Sequence, residues 1–134
     1  MTTVFRLLVH AFLSFWWPRL SIINEQPGLL VLDASGFTIT ASKSDQLVTL
    51  NGRAIASFKG IQAIQIQHFA SGGGNRRREW WRLSLQVLGR PVVHLGRTRD
   101  SLQADIAAAH LSTLIERPVV ALSQTGLRSS GIKT

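Results

Sequence analysis

Residues 80–88 read Trp-Trp-Arg-Leu-Ser-Leu-Gln-Val-Leu. Trp81, Leu83, Leu85 and Val87 alternate with Trp80, Arg82, Ser84 and Gln86, so one face is apolar and the other polar. That period of two predicts a strand with one side in a core. Gly89-Arg90 turns the chain into a further strand over 91–95. Upstream, residues 29–33, 37–41, 47–50, 53–58 and 61–69 give similar short runs between turn signals. Asn51-Gly52 is the strongest of these signals, since both residues accept the positive φ of a two-residue hairpin. The apolar phase slips between Ala63 and Ile64, which predicts a bulge or tight turn between Phe58 and Ala63. Ile64 and Ile66 then point inward. Seven strands with such short connections are expected to pair as antiparallel neighbours.

One helix follows them. Asp100 is expected as its N-cap, with Gln103 as the reciprocal half of a capping box. Leu102, Ile106, Ala107, His110, Leu111 and Leu114 are expected on its inner face. Arg117-Pro118 should end it. Residues 119–122 read as an added edge strand, and 123–134 as a flexible, Gly- and Ser-containing tail. The chain thus divides into an N-terminal segment (1–18), a domain (19–122) and the tail.

The first segment is apolar over residues 4–17, VFRLLVHAFLSFWW, and Pro18 stops it. Arg6, His10 and Ser14 fall four apart, one narrow polar stripe on a helix whose remaining surface is apolar. Such a helix must be surrounded, by its own domain, a second copy, lipid or a partner. Trp16, Trp17 and Arg19 form the aromatic–basic cluster typical of a membrane boundary. Phe5, Leu8, Phe12, Phe15, Trp16, Trp17 and Arg19 are therefore the candidate membrane- or partner-contact residues. No run reaches 18 apolar residues, and no cleavage signal follows, so neither an ordinary span nor a signal peptide is expected. The expected location is cytoplasmic, with peripheral attachment at the inner face of the membrane as an option.

At 134 residues, 45% hydrophobic and 16% charged, the chain is long enough for one self-sufficient core and too apolar for a disordered tail. It has no Cys, which excludes disulfides, thiolate metal sites and thiol nucleophiles. The net charge is +8, and 12 of the 15 basic residues are Arg, a bias toward phosphate or carboxylate partners. From residue 76 onward 10 bases face 4 acids. Arg76, Arg77 and Arg78 follow the Gly72-Gly73-Gly74-Asn75 tip expected between two strands. With Trp80 and Arg82 they form the candidate anion- or lipid-binding set. The alternative for these charges is a solvated hairpin end that keeps the domain soluble. Trp80 is expected to stack with Arg82 or Arg78, and Trp81 to join the core.

Catalysis has little to build on. His10, His68, His94 and His110 form no metal-ligand spacing, so no metal is expected. His110 is read as a hydrogen-bonded packing residue on that inner face, while His68 and His94 are expected to meet solvent. The seven acids suit turns, caps and helix surface, no serine lies in G-x-S-x-G, and the glycine tip lacks the G-K-[ST] of a phosphate loop. Neither enzymatic activity nor a cofactor is expected.

Two stretches carry a family likeness. Residues 53–64, RAIASFKGIQAI, resemble the strand–tight turn–strand segment of bacterial pleckstrin-homology-like (PH-like) domains. Residues 81–96, WRLSLQVLGRPVVHLG, resemble their last hairpin, which leads into the closing helix. The resemblance covers about residues 28–120 and implies a mainly β, PH-like seven-stranded antiparallel sandwich or barrel capped by a C-terminal α-helix. By analogy it implies a non-catalytic binding or scaffolding domain, peripheral to a membrane or membrane protein complex. The alternatives are a small basic nucleic-acid-binding β-barrel, or an oligomeric subunit that associates through residues 4–17.

Overall fold

The computed structural model describes residues 19–73, 75 and 78–123. The expected N-terminal helix, Arg76, Arg77 and the tail beyond Ser123 lie outside the described residues. Two sheets make the domain. The first is a five-stranded antiparallel meander, β1 (Leu20–Gln26), β2 (Leu29–Ala34), β3 (Phe37–Ser42), β4 (Leu47–Leu50) and β5 (Arg53–Ser57), paired in chain order. Asn51 and Gly52 have φ of 50° and 85° at the β4–β5 turn, as the Asn-Gly signal requires. Asn51 also clamps the neighbouring strand: its Oδ1 accepts from Thr38 N at 2.9 Å.

A single 3-10 turn, Phe58–Gly60, then carries the chain to the second sheet. Ser57 Oγ accepts from Gly60 N, and Phe58 is buried as a plug. The break expected between Phe58 and Ala63 is this turn together with a register shift between Ile61 and Ala63. The second sheet has the order β8–β7–β6–β9, with β6 (Ile61–Ser71), β7 (Arg78–Val87), β8 (Val93–Thr98) and β9 (Val119–Ser123). Between β8 and β9 lies α1 (Ser101–Ile115).

Both sheets turn alternate residues into one core. Leu32, Ile39 and Val48 come from the first; Ile64, Leu83 and Leu85 come from the second. Each such side chain, taken out of water, stabilises the fold by roughly 1.5–3 kcal/mol. Ile64 and Ile66 point inward as expected.

Several expectations are corrected. Among the described residues nine strands form rather than seven: residues 20–26 add β1, which was not expected, and β9 is the added edge strand that was. β9 includes Ser123, one residue past the expected end of that strand. It also pairs with β6 in parallel, because the helix between them returns the chain to the same end of the sheet. β8 begins at Val93 rather than 91, since Pro91 has no N–H to give a ladder, and it runs on to Thr98.

The helix rotates relative to the expected face. Ala104, Ala107, Ala108, Leu111 and Ile115 are buried, whereas Leu102 and Ile106 are 61% and 42% exposed. Small side chains let the helix backbone approach the sheets, and this close approach outweighs the bulk of Leu102 and Ile106. Asp100 caps α1 by accepting from Leu102 N at 2.9 Å. Gln103 does not complete a capping box. Its Oε1 accepts from Leu20 N at 3.1 Å and from Thr98 Oγ1 at 2.7 Å, tying β1, β8 and α1 at one corner. At the other end Arg117 Nε donates to Ile61 O at 2.7 Å, so the basic residue after the helix also anchors the start of β6. Among the described residues no helix is long and apolar enough to cross a membrane.

Candidate anion-binding face

The long β6–β7 hairpin sets the geometry. Its register places Phe69 opposite Trp80, Gln67 opposite Arg82, and Ser71 opposite Arg78. Because side chains alternate, these residues share the face turned away from the core. β8 extends this face, with Arg97 opposite Arg82 and His94 opposite Ser84.

At the centre Phe69 and Trp80 stack, with ring centroids 5.4 Å apart and planes 11° from parallel. The guanidinium of Arg82 lies over the Phe69 ring at 4.8 Å. It is oriented by Gln67, whose Oε1 accepts from Arg82 Nε at 3.1 Å and Nη2 at 2.9 Å. A neutral amide fixes this arginine without cancelling its charge. Among the described residues Trp80 therefore stacks on its cross-strand neighbour rather than on Arg82 or Arg78, and Arg82 takes Phe69 instead. Direct cross-strand opposition decides this outcome.

The opposite face of the hairpin end is self-satisfied. His68 Nε2 bonds Glu79 Oε1 at 2.8 Å, and the His68 ring stacks on Trp81 at 4.9 Å. Trp81 packs partly against the core, as expected. His68, expected in solvent, is held instead by these two contacts. His110 has a polar partner as expected, but on the flank of α1 rather than its inner face: its Nδ1 pairs with Glu25 Oε2 of β1.

Three of the eight described arginines are tied to the domain by hydrogen bonds to a carboxylate or a backbone carbonyl. Arg19 Nε donates to Asp33 Oδ2 at 2.8 Å, so this expected contact residue is drawn onto β2. Arg90 and Arg117 donate to the carbonyls of Ile55 and Ile61. Arg78, Arg82 and Arg97, like Arg53 and Arg99, form no salt bridge with a described carboxylate. Arg82 and Arg97 are moreover directly opposite each other. Like charges directly opposite on a sheet are destabilising. The fold bears that cost on one face.

His94 lies beside this pair. Its Nδ1 shares a 2.9 Å hydrogen bond with Ser84 Oγ. Burial, and after it the charge of Arg82, holds its pKa below the ordinary value of 6.5. Among the described residues no three His, Asp or Glu side chains form a group that could hold a metal ion.

Of the candidate anion-binding set, Arg82 and Trp80 meet through Phe69, and Arg78 is the first residue of β7 rather than part of the loop. Arg76 and Arg77 lie outside the described residues, as do Phe5, Leu8, Phe12, Phe15, Trp16 and Trp17. The sequence reading missed Phe69, Gln67 and Arg97. Their signal is the outward phase of the strands, which needs the hairpin register before it names neighbours. No family model, no curated protein and no solved structure matches the chain.

Proposed function

We propose that this chain is a non-catalytic binding domain of PH-like architecture that docks on an anionic surface, peripheral to a membrane or a membrane protein complex. Two sheets around one core, with a C-terminal helix packed on them, support the architectural part of the reading. The observation behind the functional part is the outer face itself. Arg78, Arg82 and Arg97 share it with a stacked Phe69–Trp80 pair, and none forms a salt bridge with a described carboxylate. Arg76 and Arg77 add two charges next in sequence to Arg78. Basic residues at an anionic bilayer contribute about 1 kcal/mol each, screened as salt rises.

The test is sedimentation with vesicles of mixed phosphatidylcholine and phosphatidylserine. The chain with Arg76, Arg77 and Arg78 replaced by Ala should lose about 3 kcal/mol, on the order of 100-fold in partition coefficient. Undiminished sedimentation of that variant, or none by the wild type, overturns the lipid reading. The aromatic pair favours a second reading, in which bases of a single strand stack beside the arginines. Its measure is salt-dependent retention of a homopolymeric RNA; unchanged mobility at low salt removes it.

A further inference from the structure

A groove of about 410 Å³ runs between β8 and the strands facing it in the first sheet. Phe37, Leu50 and Leu95 give it an apolar wall, and Phe37 is 52% exposed for so large a side chain. Arg97, Arg82 and His94 line it as well, and it has no acidic lining residue. Its volume falls within the range of small-molecule sites.

We propose that this groove binds a phosphomonoester bearing an apolar group, with Arg97 as the principal ligand of the phosphate. Two features lead there. The first is electrostatic: Arg82 and Arg97 are register partners on β7 and β8, both line the groove, and neither forms a salt bridge with a described carboxylate. An anion at this point relieves their repulsion. A phosphomonoester, close to two negative charges at neutral pH, matches two guanidiniums where a carboxylate matches one. The second is the composition of the walls. Phe37 and Leu50 stand beside the charged residues, so a ligand that fills the groove brings apolar surface together with its anion. Gln67 and Phe69 hold the Arg82 guanidinium toward β6, which leaves Arg97 as the principal phosphate ligand and Arg82 as a second charge lining the groove. The site goes beyond the docking reading above, because the loop arginines take no part in it.

The experiment is an amide NMR titration of the full chain with phenyl phosphate, inorganic phosphate and dihexanoyl phosphatidic acid below its micelle concentration. Phenyl phosphate should shift the amides of Phe37, Gly96 and Arg97 saturably, and inorganic phosphate should bind at least about ten-fold more weakly. Arg97→Gln should weaken phenyl phosphate about ten-fold or more while the spectrum stays dispersed. Phe37→Ser should weaken phenyl phosphate and leave inorganic phosphate unchanged. Saturation by the short-chain lipid at lower concentration than phenyl phosphate assigns a lipid source; the reverse order assigns a soluble ester. Equal affinity for inorganic phosphate, indifference to Arg97→Gln, or shifts confined to the β6–β7 hairpin end overturns the proposal. Both variants leave the loop arginines intact, so a failed vesicle experiment and a failed titration are distinguishable.

Discussion

Gly96 sits in β8 with an ordinary negative φ, so the backbone does not require glycine there. What requires it is space. A Cβ built at Gly96 lies 2.8 Å from the Cβ of Ala34 and 3.5 Å from Leu20 Cδ1. Carbon atoms pack best at about 3.5–4.0 Å, so Gly96→Ala demands a separation of roughly 0.7–1.2 Å between β8 and β2. The obstructing atom is a Cβ on a buried strand, not the free end of a long side chain. Overpacking of this kind costs about 1–3 kcal/mol. Alanine also restricts the unfolded chain, which returns about 0.4–1 kcal/mol. The steric cost is the larger, and a net loss of about 1–2 kcal/mol is expected.

Ala34→Gly removes the obstructing methyl. Alone it should cost about 1–2 kcal/mol, from one lost buried carbon and added backbone freedom. The double variant moves a methyl from β2 to β8, and its loss should stay near that of Ala34→Gly alone rather than reach the sum. A coupling of about 1–2 kcal/mol is the signature. Urea unfolding followed by tryptophan fluorescence reads it: with a slope of about 1.5–2 kcal/mol/M, Gly96→Ala lowers the midpoint by about 0.5–1.3 M. A neutral or stabilising Gly96→Ala, or strictly additive losses, would refute the close-approach argument.

Other outcomes follow from single side chains. Gln103→Leu strands Leu20 N–H and the buried Thr98 hydroxyl, and should cost about 2–4 kcal/mol in thermal unfolding, while Gln103→Glu, which keeps the acceptor, should cost distinctly less. Equal losses from the two would show that shape rather than hydrogen bonding matters at that corner. His94 has a folded pKa below its unfolded value, so the unfolded chain binds the proton first as the medium is acidified. Stability from this group is level above about pH 6.5 and falls as pH drops from there toward the folded pKa. Between about pH 7.5 and 5.5 the wild type should therefore lose more stability than His94→Gln, and identical losses in urea midpoints would disprove the assignment.

Much of the β architecture was legible from period and punctuation. The alternation at Trp81, Leu83, Leu85 and Val87, the Asn51-Gly52 turn and the phase slip before Ile64 are local signals, because strand pleat and turn dihedrals depend on neighbours in sequence. β1 escaped notice because its burial pattern alternates over only its first residues, with Leu20 buried and the later positions exposed. The helix was placed correctly but turned wrongly, since Ala104, Ala107 and Ala108 take the core through closeness rather than bulk.

The basic, cysteine-free composition and the outward phase of Arg82 belong to the sequence alone. That Arg97 stands beside Arg82, that Phe69 rather than an arginine meets Trp80, and that Gln103 joins three elements were decided by the tertiary structure. The reason is physical. Alternation says which face a side chain takes, but only the register of non-adjacent strands and the depth of helix packing say what it faces.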